Sequence, residues 1–190
     1  VAEAGTGVGK SFAYLIPALA WAIGNSEPVV ISTATINLQQ QIYKKDFPIV
    51  SSLFKKPAKA VVVKGRGNYL CKRRLYAAIE EDALFSDSSM KLREILEWDN
   101  GGGSGDKSDL ALPDDDPIWS RVCSESDYCL SLHCPYHDKC HVIHIRLEAA
   151  SAQLIIANHH VLLADLEAKR IREGIINTVL PSYQALVIDE

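Results

Sequence analysis

Residues 4–11, Ala4-Gly5-Thr6-Gly7-Val8-Gly9-Lys10-Ser11, place glycines at alternate positions and then a lysine and a hydroxyl where an apolar helical pattern begins. Such a loop can turn its backbone N–H groups inward around phosphate oxygens, while the helix that follows offers the anion its positive end. The pattern is that of a P-loop with Ala4 in the place of the first glycine: Ala4 to Gly9 would cradle the phosphates of ATP, Lys10 would reach the β and γ phosphates, and Ser11 would ligate Mg²⁺. Val187-Ile188-Asp189-Glu190 offers the complementary half, an apolar strand running into two carboxylates. There Asp189 would order the magnesium shell and Glu190 would polarise an attacking water. A P-loop alone does not name a reaction. Its pairing with Asp-Glu favours ATP hydrolysis over phosphorylation of a small substrate.

A second constellation is sulfur-rich. Cysteines stand at 71, 123, 129, 134 and 140, the last three inside the stretch Asp127 to His141, which also holds His133, His137 and His141. The odd number and the absence of a secretory leader pattern argue against a disulfide framework. Cys129, Cys134 and Cys140 lie in polar, turn-rich sequence, unlike cysteines that merely fill a core. Their Cys-x4-Cys-x5-Cys spacing, with Cys71 far upstream, fits zinc and a [4Fe-4S] cluster equally well.

Positioning these groups requires a scaffold, and the hydropathy pattern describes one. Helices are expected over Lys10 to Ile23, with Pro17 as a kink, over Ile36 to Lys45 with Thr35 as N-cap, and over Leu70 to Asp82, Ser89 to Trp98, His141 to Ser151 and Val161 to Arg172. Continuous β-branched or apolar runs predict strands at Val29–Thr33, Ala60–Val63, Gln153–Ala157 and Ala185–Ile188. Strands of this kind alternating with helices predict an α/β fold with a parallel sheet covered on both faces. The glycine-rich, acidic segment 99–117 predicts a flexible loop.

The chain of 190 residues is 47% hydrophobic and 23% charged, ordinary for a globular protein, and its formal charge of −4 excludes a uniformly basic nucleic-acid binder. The charge is unevenly spread. Residues 55–74 hold eight Lys or Arg and no acid, whereas residues 80–127 hold fourteen acids against four bases. The first run predicts an anion-binding face. No leader or membrane-spanning pattern is present, so the expected location is the cytoplasm, in association with the nucleoid if the source is bacterial. Val1 in place of Met, and the stop directly after the Asp-Glu pair, predict a piece of a longer protein.

Four quoted stretches together resemble the DinG/XPD family of superfamily 2 iron-sulfur DNA helicases: Lys64-Gly65-Arg66-Gly67-Asn68-Tyr69-Leu70-Cys71; Cys129, Cys134 and Cys140; Ile155-Ile156-Ala157-Asn158-His159-His160-Val161-Leu162-Leu163; and Val187-Ile188-Asp189-Glu190. The resemblance implies a RecA-like P-loop domain interrupted by a cysteine-rich insertion. Residues 1–68 and 142–190 would form the first motor domain, with 69–141 the iron-sulfur insertion. It assigns Cys71, Cys129, Cys134 and Cys140 to a structural [4Fe-4S] cluster and leaves Cys123 as an extra. It likens Ser32-Thr33-Ala34-Thr35 to a motif that touches the nucleic-acid backbone. Asn158 belongs to the Asn-His-x-x-Leu motif or serves only as a helix cap.

Thr33, Arg66, Tyr69, Lys72 and Arg73 are the expected DNA contacts, cations meeting phosphates and the ring stacking a base. Arg66 has a second possible use, stabilising an anionic cluster. The implied activity is ATP-driven translocation on single-stranded or forked DNA, 5′ to 3′, with duplex unwinding. The 190 residues alone are expected neither to unwind DNA nor to turn over ATP well. Two rival classes are a P-loop phosphotransferase with a structural zinc and a cluster-based DNA-binding sensor without motor activity.

Overall fold

The computed structural model describes residues 9–82, 89–113, 115–171 and 179–189. These fall into two compact units, one within Val1–Lys64 and Ile145–Glu190, the other within Gly65–His144.

Among the described residues the first unit has four parallel strands, β1 (Val29–Thr33), β2 (Ala60–Val63), β3 (Leu154–Asn158) and β4 (Ala185–Asp189), in the order β2-β3-β1-β4. β1 is buried along its whole length, which explains its lack of alternation in sequence. Successive side chains on a strand point to opposite faces. Val29, Ile31, Leu154 and Ile156 accordingly join one core with Leu15, Leu19, Ile42 and Val50, while Val30, Ile155, Val61 and Val63 join another with Ala149, Val161 and Leu162. The expected parallel α/β sheet is thus present. At β4 the outward alternation leaves Leu186 and Ile188 exposed.

Helix α1 (Lys10–Asn25) runs through Pro17, two residues beyond the expected end, and Ser26 closes it in a left-handed conformation. The predicted single helix from Ile36 to Lys45 is instead three joined pieces: α2 (Ile36–Gln41), a π turn (Ile42–Asp46) and α3 (Phe47–Ser51). Pro48 has no N–H to return to the preceding turn, and the widened turn before it lets the Phe47 N–H reach Ile42 O. Thr35 caps α2 as expected, its hydroxyl accepting from Leu38 N at 3.2 Å. Beyond α7 (His141–Ala150), helix α8 (His159–Ile171) carries the fully buried Asp165, whose carboxylate accepts the Leu180 N–H at 2.9 Å and so anchors the chain that enters β4.

The second unit has a core of its own. Helices α4 (Lys72–Asp82), α5 (Ser89–Asn100) and α6 (Pro117–Val122) enclose Leu70, Leu75, Ala78, Leu92, Ile95, Ile118, Trp119, Val122 and Cys123. The segment 99–117 departs from the expected free loop. Its first two residues belong to α5, Lys107–Asp109 form a 3-10 turn, Leu110 and Leu112 pack on the core, and Leu70 N donates to Gly105 O at 2.8 Å. Gly105, at φ +78°, faces the His141 ring so closely that a Cβ would lie 2.1 Å from it. This approach is open to glycine alone. Residue 114, in the acidic run, lies outside the described residues.

Candidate functional site

Three strands end in one row: Thr33 is in register with Asn158 on one side and with Asp189 on the other. In open parallel sheets ligands bind beyond such carboxyl ends. Helix α1 starts beside this edge, led by Gly9 in the left-handed region at φ 83°. The described part of the phosphate loop is Gly9, Lys10 and Ser11; Ala4, Gly5, Thr6, Gly7 and Val8 lie outside the described residues, as does Glu190.

Ser11 and Asp189, the two groups expected on magnesium, meet at one side chain. The Tyr14 phenol donates to Asp189 Oδ2 at 2.8 Å across 175 positions of sequence, and the Ser11 side chain hydrogen-bonds the same phenol. Since the phenol proton is committed to the carboxylate, its oxygen accepts from Ser11. Burial, with the Asp189 bond second, pushes the phenol well above its ordinary pKa, so Tyr14 stays a donor. The oxygen donors at this edge suit a hard cation such as Mg²⁺, which commonly keeps waters and takes one or two protein oxygens. Sequence reasoning passed over Tyr14. Its signal was the three-residue spacing from Ser11, which puts both on one helix face.

Neighbouring groups on the same edge are also committed. Asn158 Oδ1 accepts from Val161 N at 2.8 Å and so caps α8. Ser32 Oγ and His159 Nδ1 share a hydrogen bond of 2.7 Å. Thr33, expected on a DNA backbone, is fully buried and donates to Thr35 O at 3.2 Å. The exposed residues of this turn are Ala34 and Thr35.

In the second unit the basic run is largely turned inward. Lys72 pairs with Asp99, whose side chain is 1% exposed, and Asp99 Oδ1 lies 2.7 Å from His141 Nε2. Arg73 donates to Tyr128 O at 2.5 Å. Arg74 donates to Cys123 O and Ser120 O, each at 2.8 Å, pairs with Glu125 and lies over the Tyr128 ring. Tyr69 is 3% exposed and bridges to Asp106, so the expected base-stacking ring is a core residue. Of these two expected DNA contacts, Tyr69 is buried and Lys72 is half-buried and paired within its own unit. Of the eight cations in residues 55–74, Lys55, Lys56 and Lys59 are exposed, with Lys59 lying 3.6 Å from Glu148.

The cysteines separate by environment. Cys123 sits in the apolar core, and burial pushes its thiol up; it behaves as a small hydrophobe. Cys129 is exposed, while Cys71, Cys134 and Cys140 are half-buried, and all are free thiols. Cys134 and Cys140 each follow a 3-10 turn, Ser131–His133 and His137–Lys139. Partial burial raises the Cys129 thiol, but the Ser131 backbone and the Arg66 guanidinium outweigh it and leave the net shift downward, toward thiolate. In donor chemistry, four thiols outside the core with a cation at one of them suit a thiolate-bound centre. Among the described residues no three His, Cys, Asp or Glu side chains are gathered closely enough to hold a metal ion. His141 is held by Asp99, and His144 Nε2 lies 2.8 Å from Asp138 O.

No helix among the described residues is long and apolar enough to cross a membrane. No family model matches the chain. Curated proteins do. The chain is 35% identical over 192 residues to the ATP-dependent DNA helicase YoaA of Haemophilus influenzae, covering all of this chain and 29% of that protein. It is 33% identical over 210 residues to the ATP-dependent helicase DinG of Mycobacterium tuberculosis, again along its whole length and 30% of the relative. Against the ATP-dependent DNA helicase DinG of Escherichia coli it is 32% identical over 206 residues, 99% of this chain and 28% of that one. The chain thus spans less than a third of the length of these relatives, and along its whole length it is similar to proteins named as ATP-dependent helicases of the DinG family.

Proposed function

We propose that this chain supplies the nucleotide-binding part of an ATP-dependent DNA helicase, coupling ATP hydrolysis to translocation on single-stranded DNA, 5′ to 3′, and to duplex unwinding. The observation that carries the reading is the meeting of Ser11, at the phosphate loop, with Asp189, at the end of β4, on the Tyr14 phenol. Lys10 would neutralise the β and γ phosphates, and the backbone of Ala4 to Gly9 would hold them in place. Ser11 and Asp189 would hold Mg²⁺, which supplies charge neutralisation at the phosphates. Glu190 would orient the attacking water. The names of the relatives, which specify ATP and DNA, support both substrates.

In the unit Gly65–His144, Cys71, Cys129, Cys134 and Cys140 would hold a structural [4Fe-4S] cluster, with Arg66 beside Cys129 offsetting its negative charge. Residues 69–141 would act as an insertion in the motor domain. Because that unit already possesses an apolar core, the cluster would fix the cysteine-bearing turns rather than hold the whole unit together. Arg66 and Arg73 remain proposed DNA contacts, joined by the exposed Lys55 and Lys56. The proposed location is the cytoplasm.

The test uses the protein in its longest natural form, purified anaerobically. ATP hydrolysis stimulated by single-stranded DNA, unwinding of a substrate with a 5′ tail, and iron and sulfide in near-stoichiometric amounts are expected. Zinc in place of iron would overturn the cluster. DNA-independent phosphorylation of a metabolite would overturn the helicase reading in favour of a phosphotransferase.

A further inference from the structure

We propose that Tyr14 is a positioning residue for the magnesium side of the nucleotide site, its phenol holding the Asp189 carboxylate and the Ser11 hydroxyl in the poses from which both engage the metal. The inference rests on the nucleotide-binding reading above and deepens it. Asp189 ends a strand that lies, among the described residues, at the edge of the sheet with alternate residues exposed, and Ser11 lies in the first turn of α1. Neither element by itself fixes the separation of the two oxygens. Tyr14 does so because it lies one turn beyond Ser11 on α1 and reaches Asp189 Oδ2 at 2.8 Å.

The phenol has both capacities the task needs, one proton to give and lone pairs to accept. Phenylalanine would retain the ring packing and remove both hydrogen bonds.

Binding of a fluorescent ATP analogue to the longest natural form of the protein, first in EDTA and then titrated with MgCl₂, separates metal-dependent from metal-free affinity. In Tyr14→Phe, the Mg²⁺ concentration for half-maximal tightening is expected to rise about three- to ten-fold, the effect of one or two lost hydrogen bonds, with the affinity in EDTA within about two-fold of the original. In a background of Asp189→Asn the same Tyr14→Phe change should have a smaller further effect, since only the Ser11 bond then remains to be lost. An unchanged Mg²⁺ requirement overturns the inference, and so does an equal loss of affinity with and without metal. Failure of the unmodified protein to bind the analogue at all overturns the nucleotide-binding reading itself. Melting temperature monitors folding, and Tyr14→Trp, which keeps a ring N–H donor but no acceptor, supplies a second variant should Phe unfold; it should raise the Mg²⁺ requirement too.

Discussion

In the sheet unit the polar groups of interest stand where strands stop; in the unit Gly65–His144 they run inward from helices. Thr33, Asn158 and Asp189 occupy one row because parallel strands in register end together, and α1 brings Ser11 and Tyr14 to the same edge. The backbone topology assembles that site. The described residues of the helical unit form no such edge, and their charges are used to tie segments to one another: Lys72 and His141 to Asp99, Arg121 to Asp82, Arg74 to Glu125. A run of cations that looks like a nucleic-acid face in sequence is, in this unit, mostly internal wiring. Charge composition reports what is available for binding only after internal partners have taken their share.

The contrast predicts that damage to one unit spares the chemistry of the other. The largest effect is expected at the cysteines. Cys134→Ser should abolish iron incorporation, whereas Cys123→Ser, in the apolar core, should retain iron and only lower stability; equal iron loss in both would break the distinction. Metal-free nucleotide binding should survive in Cys134→Ser.

Asp99→Ala should follow in size. Removing the buried carboxylate leaves Lys72 and His141 without their shared partner, a loss of about 3–5 kcal/mol for a broken buried pair. Denaturant unfolding followed by the fluorescence of Trp98 and Trp119 would measure it, and a loss below about 1 kcal/mol, the range of an exposed pair, would show that the network is solvent-screened.

Lys10→Ala is expected to weaken binding of the ATP analogue about 100-fold, equivalent to about 2.7 kcal/mol, while leaving iron content unchanged. Parallel loss of iron would mean that the two units are not chemically independent.

The smallest effect concerns Asp116, whose carboxylate accepts from Ile118 N at 3.0 Å at the start of α6 and pairs with Lys91 at 3.1 Å. The backbone bond first, and Lys91 second, hold its carboxyl below the usual 3.8. A depressed folded-state value means that this contribution is present above the unfolded pKa and is lost as pH falls through the folded one. Asp116→Asn should therefore cost a little stability at pH 7, become nearly neutral once the pH has fallen below the folded-state value, and so reduce the acid sensitivity of unfolding below about pH 4. An unaltered acid limb would show that other carboxylates govern it.

Legibility in the sequence followed the range of the interactions involved. The strands were readable to within a residue, because β-branched runs such as Val29–Thr33 declare a two-sided buried strand on their own. The helix beyond Thr35 was half readable: its cap is local, but the π turn depends on Pro48 and on how Ile42 and Val50 meet the sheet. The glycine-rich stretch was misread because glycine marks both a free linker and a close approach, and only the His141 ring facing Gly105 distinguishes them. The burial of Thr33 and Tyr69 was hidden for a related reason: a motif gives residue type and position, while exposure depends on what packs above.

The sequence by itself determined the order of elements, the residue types of the phosphate loop, the acidic end of β4 and the supply of thiols. These are written in short windows, where period, glycine placement and β-branching act between neighbours. The tertiary structure alone decided that Cys123 is core, that Lys72 and Arg74 are engaged, that Thr33 and Tyr69 are buried, and that Tyr14 joins Ser11 to Asp189. Each of these is a matter of which partner arrives from far along the chain, and a hydrogen bond spanning 175 residues leaves no trace in any local window.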